Sequence, residues 1–130
     1  MKTTLRKVLV CDDSMLIRKK LKEQLLANWE LDVLEASDGQ EAVELCLVSS
    51  PELVFLDIVM PKKNGLEALS EIKAARPETI VIMASSVGTE GNLKKAIDLG
   101  ADDFIQKPLT LESVGRMIAR YMADREGQHV

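Results

Sequence analysis

The stretch LVFLDIVMPKKNG, residues 53–65, is an apolar run that ends on a carboxylate, Asp57, and then passes through a Met-Pro turn to an Asn-Gly pair able to open a helix. A run of about four to eight apolar residues bounded by turn signals has the form of a strand buried on both faces. Asp57 is then the first polar group to emerge from that sheet. A second apolar run, residues 8–11, ends the same way on Asp12 and Asp13. If the two strands are parallel neighbours, three carboxylates meet at one sheet edge.

Outward from this stretch, strand and helix patterns alternate, as they do in an α/β sheet with crossover helices. Strand one is expected over residues 7–11. Ser14 caps a first helix that carries Ile17, Leu21 and Leu25 on one face, with Arg18, Lys19 and Lys22 elsewhere, and ends near Trp29. Strand two is residues 31–36. Asp38 and Glu41 have the spacing of a capping box for a second helix with Ala42, Val43, Cys46 and Leu47 inward. Strand three, residues 52–56, follows Pro51. Asn64 and Glu67 repeat the capping pattern ahead of a third helix with Leu66, Leu69 and Ile72 inward. Strand four is residues 79–84, and a loop of small residues, 85–91, leads to a fourth helix with Leu93, Ala96 and Ile97 inward and Gly100 as its left-handed stop. Strand five is residues 103–106. Thr110 caps a fifth helix whose Leu111, Val114, Ile118 and Tyr121 share a face.

Five strands and five helices in strict alternation, with helices needed on both faces, give a doubly wound parallel sheet of order 2-1-3-4-5, a flavodoxin-like three-layer sandwich. In that order strands one and three are adjacent where the winding reverses. Asp12, Asp13 and Asp57 all fall at that crevice, and strands four and five bring Ser85 and Lys107 to the same edge.

At 130 residues the chain fits one domain, expected over 1–123 with a short tail at 124–130. A hydrophobic share of 46% and a charged share of 29% are ordinary for a soluble protein, while 3% aromatics leave the core to Leu, Ile, Val, Ala and Met. Met60, Met83 and Met117 read as core filler. The net charge of -4 argues against a direct nucleic-acid partner, whose phosphates call for a basic surface. No run has the length of a signal-peptide core or a membrane span, which points to a cytoplasmic protein without a membrane partner. Cys11 and Cys46 have neither the number nor the spacing of a zinc site or disulfide framework and read as buried free thiols. His129, the lone histidine, falls in the tail, where nothing supports catalysis.

Three carboxylates packed together repel, and their pKa values rise unless a cation compensates. A cluster of oxygen donors suits a hard ion, Mg2+, which keeps several waters and takes one or two carboxylates plus a phosphate oxygen. With Asp57 as nucleophile, Lys107 as a fixed ammonium and Ser85 as a hydroxyl, the set is sufficient for phosphoryl transfer to form an aspartyl phosphate. Singly, each piece also reads as a turn or cap residue. Their convergence on one edge is what the bland readings fail to explain.

VLVCDDS, LVFLDIVMPKKNGLEAL, VIMASS and GADDFIQKP, in this order and spacing, resemble the receiver domain of two-component response regulators from about residue 7 to 122. The resemblance implies that Asp57 is the phosphoacceptor, that Asp13 binds Mg2+ directly and Asp12 largely through water, and that the Val59 carbonyl is a further ligand. It implies that Lys107 and Ser85 meet the phosphoryl oxygens, that Phe104 stands at the aromatic switch position, and that Lys107-Pro108 is cis. The donor would be a sensor histidine kinase or a histidine phosphotransfer protein. Two departures stand out. Lys63-Asn64 is expected to expose a cation near the site, and Val59 and Val87 occupy positions that, in the family this chain resembles, influence access of the hydrolytic water, so a comparatively long-lived phosphorylated state is expected.

Two rival functions follow from the same residues. A Mg2+-dependent phosphohydrolase of the haloacid-dehalogenase type would carry Asp-x-Asp after its first strand and an inserted cap, and neither is present. A receiver-like binding module that is not phosphorylated would not need the intact acidic pair, Asp57, Ser85 and Lys107. With only residues 124–130 beyond the expected domain, the signal is expected to leave through the surface of helix four, strand five and helix five, toward an effector protein or a second copy of the chain.

Overall fold

The computed structural model describes residues 6–86 and 90–127. Its strands are β1 (Arg6–Cys11), β2 (Leu31–Ala36), β3 (Leu53–Asp57), β4 (Ile80–Ser85) and β5 (Asp103–Gln106), and its helices are α1 (Met15–Asn28), α2 (Gly39–Ser49), α3 (Gly65–Ala75), α4 (Leu93–Asp98) and α5 (Leu111–Gly127). All four strand pairings are parallel, in the order β2-β1-β3-β4-β5. The doubly wound, flavodoxin-like sheet expected from the alternation is the fold.

Side chains alternate across the two central strands because successive residues of a strand point to opposite faces. Leu9, Cys11, Val54 and Leu56 join one buried cluster with Ala42, Val43, Ala68, Leu69, Ile72 and Ala96, so α2, α3 and α4 cover that face. Val8, Val10, Leu53 and Phe55 join the other, with Leu21, Leu25, Val114 and Ile118 of α1 and α5. This two-sided cover is why residues 53–57 read as an unbroken apolar run: every one of them is buried. The last polar member, Asp57, is tolerated because it stands at the sheet's C-terminal edge.

The helix starts follow their caps. Ile17 N–H donates to Ser14 Oγ, Ser113 N–H to Thr110 Oγ1, and Asn64 with Glu67 forms the reciprocal capping box. At α2 the box is displaced by one residue. Glu41 N–H donates to Asp38 Oδ1 at 2.8 Å, but the Glu41 carboxylate accepts from the backbone and hydroxyl of Ser37 instead of from Asp38 N–H. Gly100 takes φ +105 just beyond α4, as its place after that helix requires.

Several outward turns of helices differ from expectation. Leu47 is 47% exposed and Ile97 57% exposed, and Ile17 also faces outward, while Leu66 is only partly buried. In α2 the stripe Gly39, Ala42, Val43 and Cys46 already fills the inward arc, leaving Leu47 at its margin. Strands three and four each sit one residue later than expected, and α5 continues to Gly127, into the segment 124–130 set apart as a tail. Met60 and Met83 are buried and Met117 partly so, in keeping with core filler. Cys11 and Cys46 are free and buried; burial pushes both thiols up, Cys46 to about 12. Val87 and His129 lie outside the described residues.

Candidate functional site

β1 and β3 are neighbours in register, Cys11 opposite Leu56, so both chains leave the sheet side by side. Asp12, 1% exposed, and Asp57, 5% exposed, stand at that edge with the exposed Asp13. One carboxylate oxygen from each of the three lies within 4.8 Å of the other two. The three acids singled out from the sequence are therefore one cluster.

Two glycines fix the frame around Asp57. Gly65 N–H donates to the Ile58 carbonyl at 2.7 Å, and a Cβ there would lie 2.2 Å from the Asp57 carbonyl, so the turn after β3 closes only over glycine. A Cβ on Gly39 would lie 1.9 Å from the Lys63 carbonyl, which lets the same turn rest on the start of α2. Lys62, at φ +67, completes the turn and pairs with Asp38 at 3.6 Å. Lys63, expected to expose a cation beside the acids, instead gives its ammonium to Glu71 on α3. That ion pair spans a loop and a helix, and it directs the charge away from the cluster.

Lys107 is the cation that does reach the acids. It follows β5, its peptide bond to Pro108 is cis, and its N–H donates to the Ser85 carbonyl at 2.7 Å. Its ammonium donates to Asp12 Oδ2 at 3.0 Å and to Asp57 Oδ2 at 2.9 Å. Burial alone would lower the Lys107 pKa, but the hydrogen bonds and charges of Asp57 and Asp12 raise it. For Asp57 burial dominates and pushes the carboxyl up, Lys107 and the Val59 N–H pull it down, and Asp12 pushes it up again. One ammonium shared between two buried carboxylates, with a third carboxylate beside them, leaves the cluster short of positive charge.

The remaining described residues selected from the sequence lie just beyond β3 and on β4 and β5. Val59 is 60% exposed, and its N–H donates to Asp57 Oδ1 at 3.3 Å. Ser85 ends β4, buried, one residue beyond the pairing of Asp57 with Ala84. Phe104 lies opposite Met83 on β5, partly buried against the α2–α3–α4 face. Two residues near the acids carry no functional signal in the helix and strand patterns that place them: Arg18 on α1, whose Nη1 donates to the Asp12 carbonyl at 2.8 Å, and Glu35 on β2, which accepts from Arg18 Nε at 3.1 Å.

Among the described residues no helix is long and apolar enough to cross a membrane. A family profile described as response regulator receiver domain matches residues 8–119. The chain is 44% identical to the chemotaxis protein CheY of Halobacterium salinarum over 109 residues, 84% of this chain and 90% of that one. The REC domain of AraT, a response regulator from Geobacillus stearothermophilus, superposes with a TM-score of 0.87 at 27% identity and covers 98% of this chain and 100% of its own. The response regulator domain of Thermotoga maritima CheB superposes with a TM-score of 0.73 at 38% identity over 96% of each chain. The alternating sheet, the acidic edge and these likenesses agree: the chain belongs to the response regulator receiver domain family, the signalling switches of two-component systems.

Proposed function

We propose that this receiver takes a phosphoryl group onto Asp57 from the phosphohistidine of a sensor histidine kinase or phosphotransfer protein. The observation that carries the reading is the Lys107 ammonium bridging Asp12 and Asp57 beside Asp13. The donor's N–P bond breaks as an O–P bond forms to an Asp57 carboxylate oxygen, and the histidine nitrogen recovers its lone pair. Asp57 is held for this by Val59 N–H on one oxygen and Lys107 on the other. Lys107 stabilises charge on the transferred oxygens, and Ser85 supplies a hydroxyl from the end of β4.

The all-oxygen donor set and its deficit of positive charge fit Mg2+, held by Asp13, Asp57 and the Val59 carbonyl, with Asp12 acting largely through water. The ion supplies charge neutralisation for the incoming phosphoryl oxygens. In this reading the protein is not an enzyme with a separate turnover substrate, works in the cytoplasm, spans residues 1–123 as its receiver domain, and has no direct nucleic-acid partner. Phosphorylation changes the surface of α4, β5 and α5 through Ser85, Lys107 and Phe104, for an effector protein or a second copy of the chain. The test is intact mass after treatment with an acyl phosphate and Mg2+. One added phosphoryl group is expected, absent after chelation and absent in Asp57→Asn. Labelling of the Asn variant to the native extent would refute the assignment.

A further inference from the structure

Asp12 is held at every hydrogen-bonding group it has. Its N–H donates to the Ala36 carbonyl at 3.1 Å, extending the β1–β2 ladder one residue past its last pair, Cys11 with Ala36. Its Oδ1 accepts from Ser14 N–H at 2.9 Å and its Oδ2 from Lys107 at 3.0 Å. The ladder has ended on this side, so no strand N–H meets its carbonyl; Arg18 Nη1 meets it instead, at 2.8 Å. A buried backbone carbonyl needs such a partner.

Arg18 is itself held. It lies in the first turn of α1, its N–H bonded to the Ser14 carbonyl at 3.0 Å, and its side chain is only 13% exposed. Its Nε donates to Glu35 Oε1 near the end of β2 at 3.1 Å, and Lys22 lies 3.6 Å from Glu35 Oε2. The guanidinium fork therefore spans from a β2 carboxylate to the Asp12 carbonyl, a geometry a lysine ammonium does not reproduce.

The Asp12 carbonyl and the Asp13 N–H belong to one planar peptide unit. Fixing the direction of that carbonyl fixes the plane from which Asp13 leaves the loop, and with it where the exposed Asp13 carboxylate stands relative to Asp57. We infer that Arg18, braced by Glu35, is the positioning residue for the cation-binding carboxylates: it orients the Asp12–Asp13 peptide while touching neither the ion nor the phosphoryl group. This rests on the proposed Mg2+ site. Outer partners of this kind typically hold about 10- to 100-fold of metal affinity.

The test compares the native chain with Arg18→Lys, Glu35→Gln, Lys22→Ala and Asp13→Asn by Mg2+ titration calorimetry, with melting in EDTA measured alongside. Arg18→Lys keeps the net charge and loses the fork. It is expected to bind Mg2+ about tenfold more weakly, and any fall of its melting temperature in EDTA reports only the lost staple between α1 and β2. Glu35→Gln is expected to weaken binding in the same direction, and it carries the test if Arg18→Lys does not fold. Lys22→Ala is expected to bind as the native chain does. Native Mg2+ affinity in Arg18→Lys, whether or not its melting falls, would make Arg18 a plain staple between α1 and β2 and overturn the inference. Failure of the native chain to bind Mg2+, or native affinity in Asp13→Asn, would overturn the metal site itself and this inference with it.

Discussion

Asp57 and Asp103 are the same residue type in one sheet, one at the C-terminal end of the central strand β3 and the other at the start of the outermost strand β5, and the fold treats them oppositely. Asp57 ends β3, buried, sharing one ammonium with Asp12, and its carboxyl is pushed up by burial more than Lys107 pulls it down. Asp103 opens β5. Burial works to raise it too, but the Phe104 N–H at 2.8 Å, the Tyr121 hydroxyl at 2.9 Å and the Arg120 guanidinium together hold its carboxyl below the usual range. The Tyr121 hydroxyl is in turn pushed up to about 12 by its own burial and by Asp103. A carboxylate that is over-supplied with donors ties β5 to α5. One that is under-supplied is the one proposed to accept a cation and a phosphoryl group, since chemistry concentrates where a fold leaves such an imbalance.

The sharpest way to break this contrast is to remove each acid in turn. Asp57→Asn is expected to abolish phosphoryl uptake outright, whereas Asp103→Asn is expected to keep it; intact mass reads both. Comparable loss in the two variants would mean that the imbalance at Asp57 has no special role.

Lys107→Ala is the next largest. It leaves Asp12 and Asp57 facing each other without their shared cation, and removing the charged partner of buried groups costs about 1–3 kcal/mol. Urea unfolding in EDTA should show that loss, and added Mg2+ should restore part of it by replacing the missing positive charge. Unchanged stability in EDTA would show that Lys107 does not balance the two acids.

Val59→Glu is expected to have a smaller effect. Its side chain is exposed next to Asp57, so a carboxylate there would attract and orient water where an isopropyl group does not. Faster loss of label after removal of the donor is the expected outcome. An unaltered lifetime would remove Val59 as a determinant of how long the phosphorylated state lasts.

The strand order and the convergence of Asp12, Asp13, Asp57 and Lys107 were legible in the chain because both rest on short-range patterns: apolar runs buried on two faces, and charged residues that terminate them. The outward turn of Leu47 and Ile97 was not. A stripe read from a 3.6-residue period is wide enough to include a marginal position, and α4, with six helical residues, is too short to display a period at all. The pairing of Lys63 with Glu71 depends on the path of a turn held by Gly65 and Gly39, which no pattern in the side chains encodes. Arg18 escaped for a related reason. Its target is a backbone carbonyl, and only the place where the β1 ladder stops reveals that this carbonyl needs a partner.

The smallest and most discriminating expectation is a pH dependence of opposite sign at the two aspartates. A carboxyl whose folded pKa lies above its ordinary value of 3.8 contributes stability below that value and loses it as pH rises through the folded pKa; Asp57 is of this kind. A carboxyl held below 3.8 contributes stability above that value and loses it as pH falls through the folded pKa; this is Asp103. Asparagine does not titrate, so each substitution removes one of these contributions. In EDTA, melting scanned from about pH 3 to about pH 6 should therefore find Asp57→Asn gaining on the native chain as pH rises, because the native carboxylate becomes a buried charge. Asp103→Asn should fall behind only in the acid part of the scan, below about pH 3.8, and keep that deficit unchanged above it, because the native carboxylate is then fully paired. The two difference curves should diverge from a common start in acid. Curves that run together would mean that the donors around Asp103 and the crowding around Asp57 are electrostatically equivalent, and the division between a binding carboxylate and a structural one would fail.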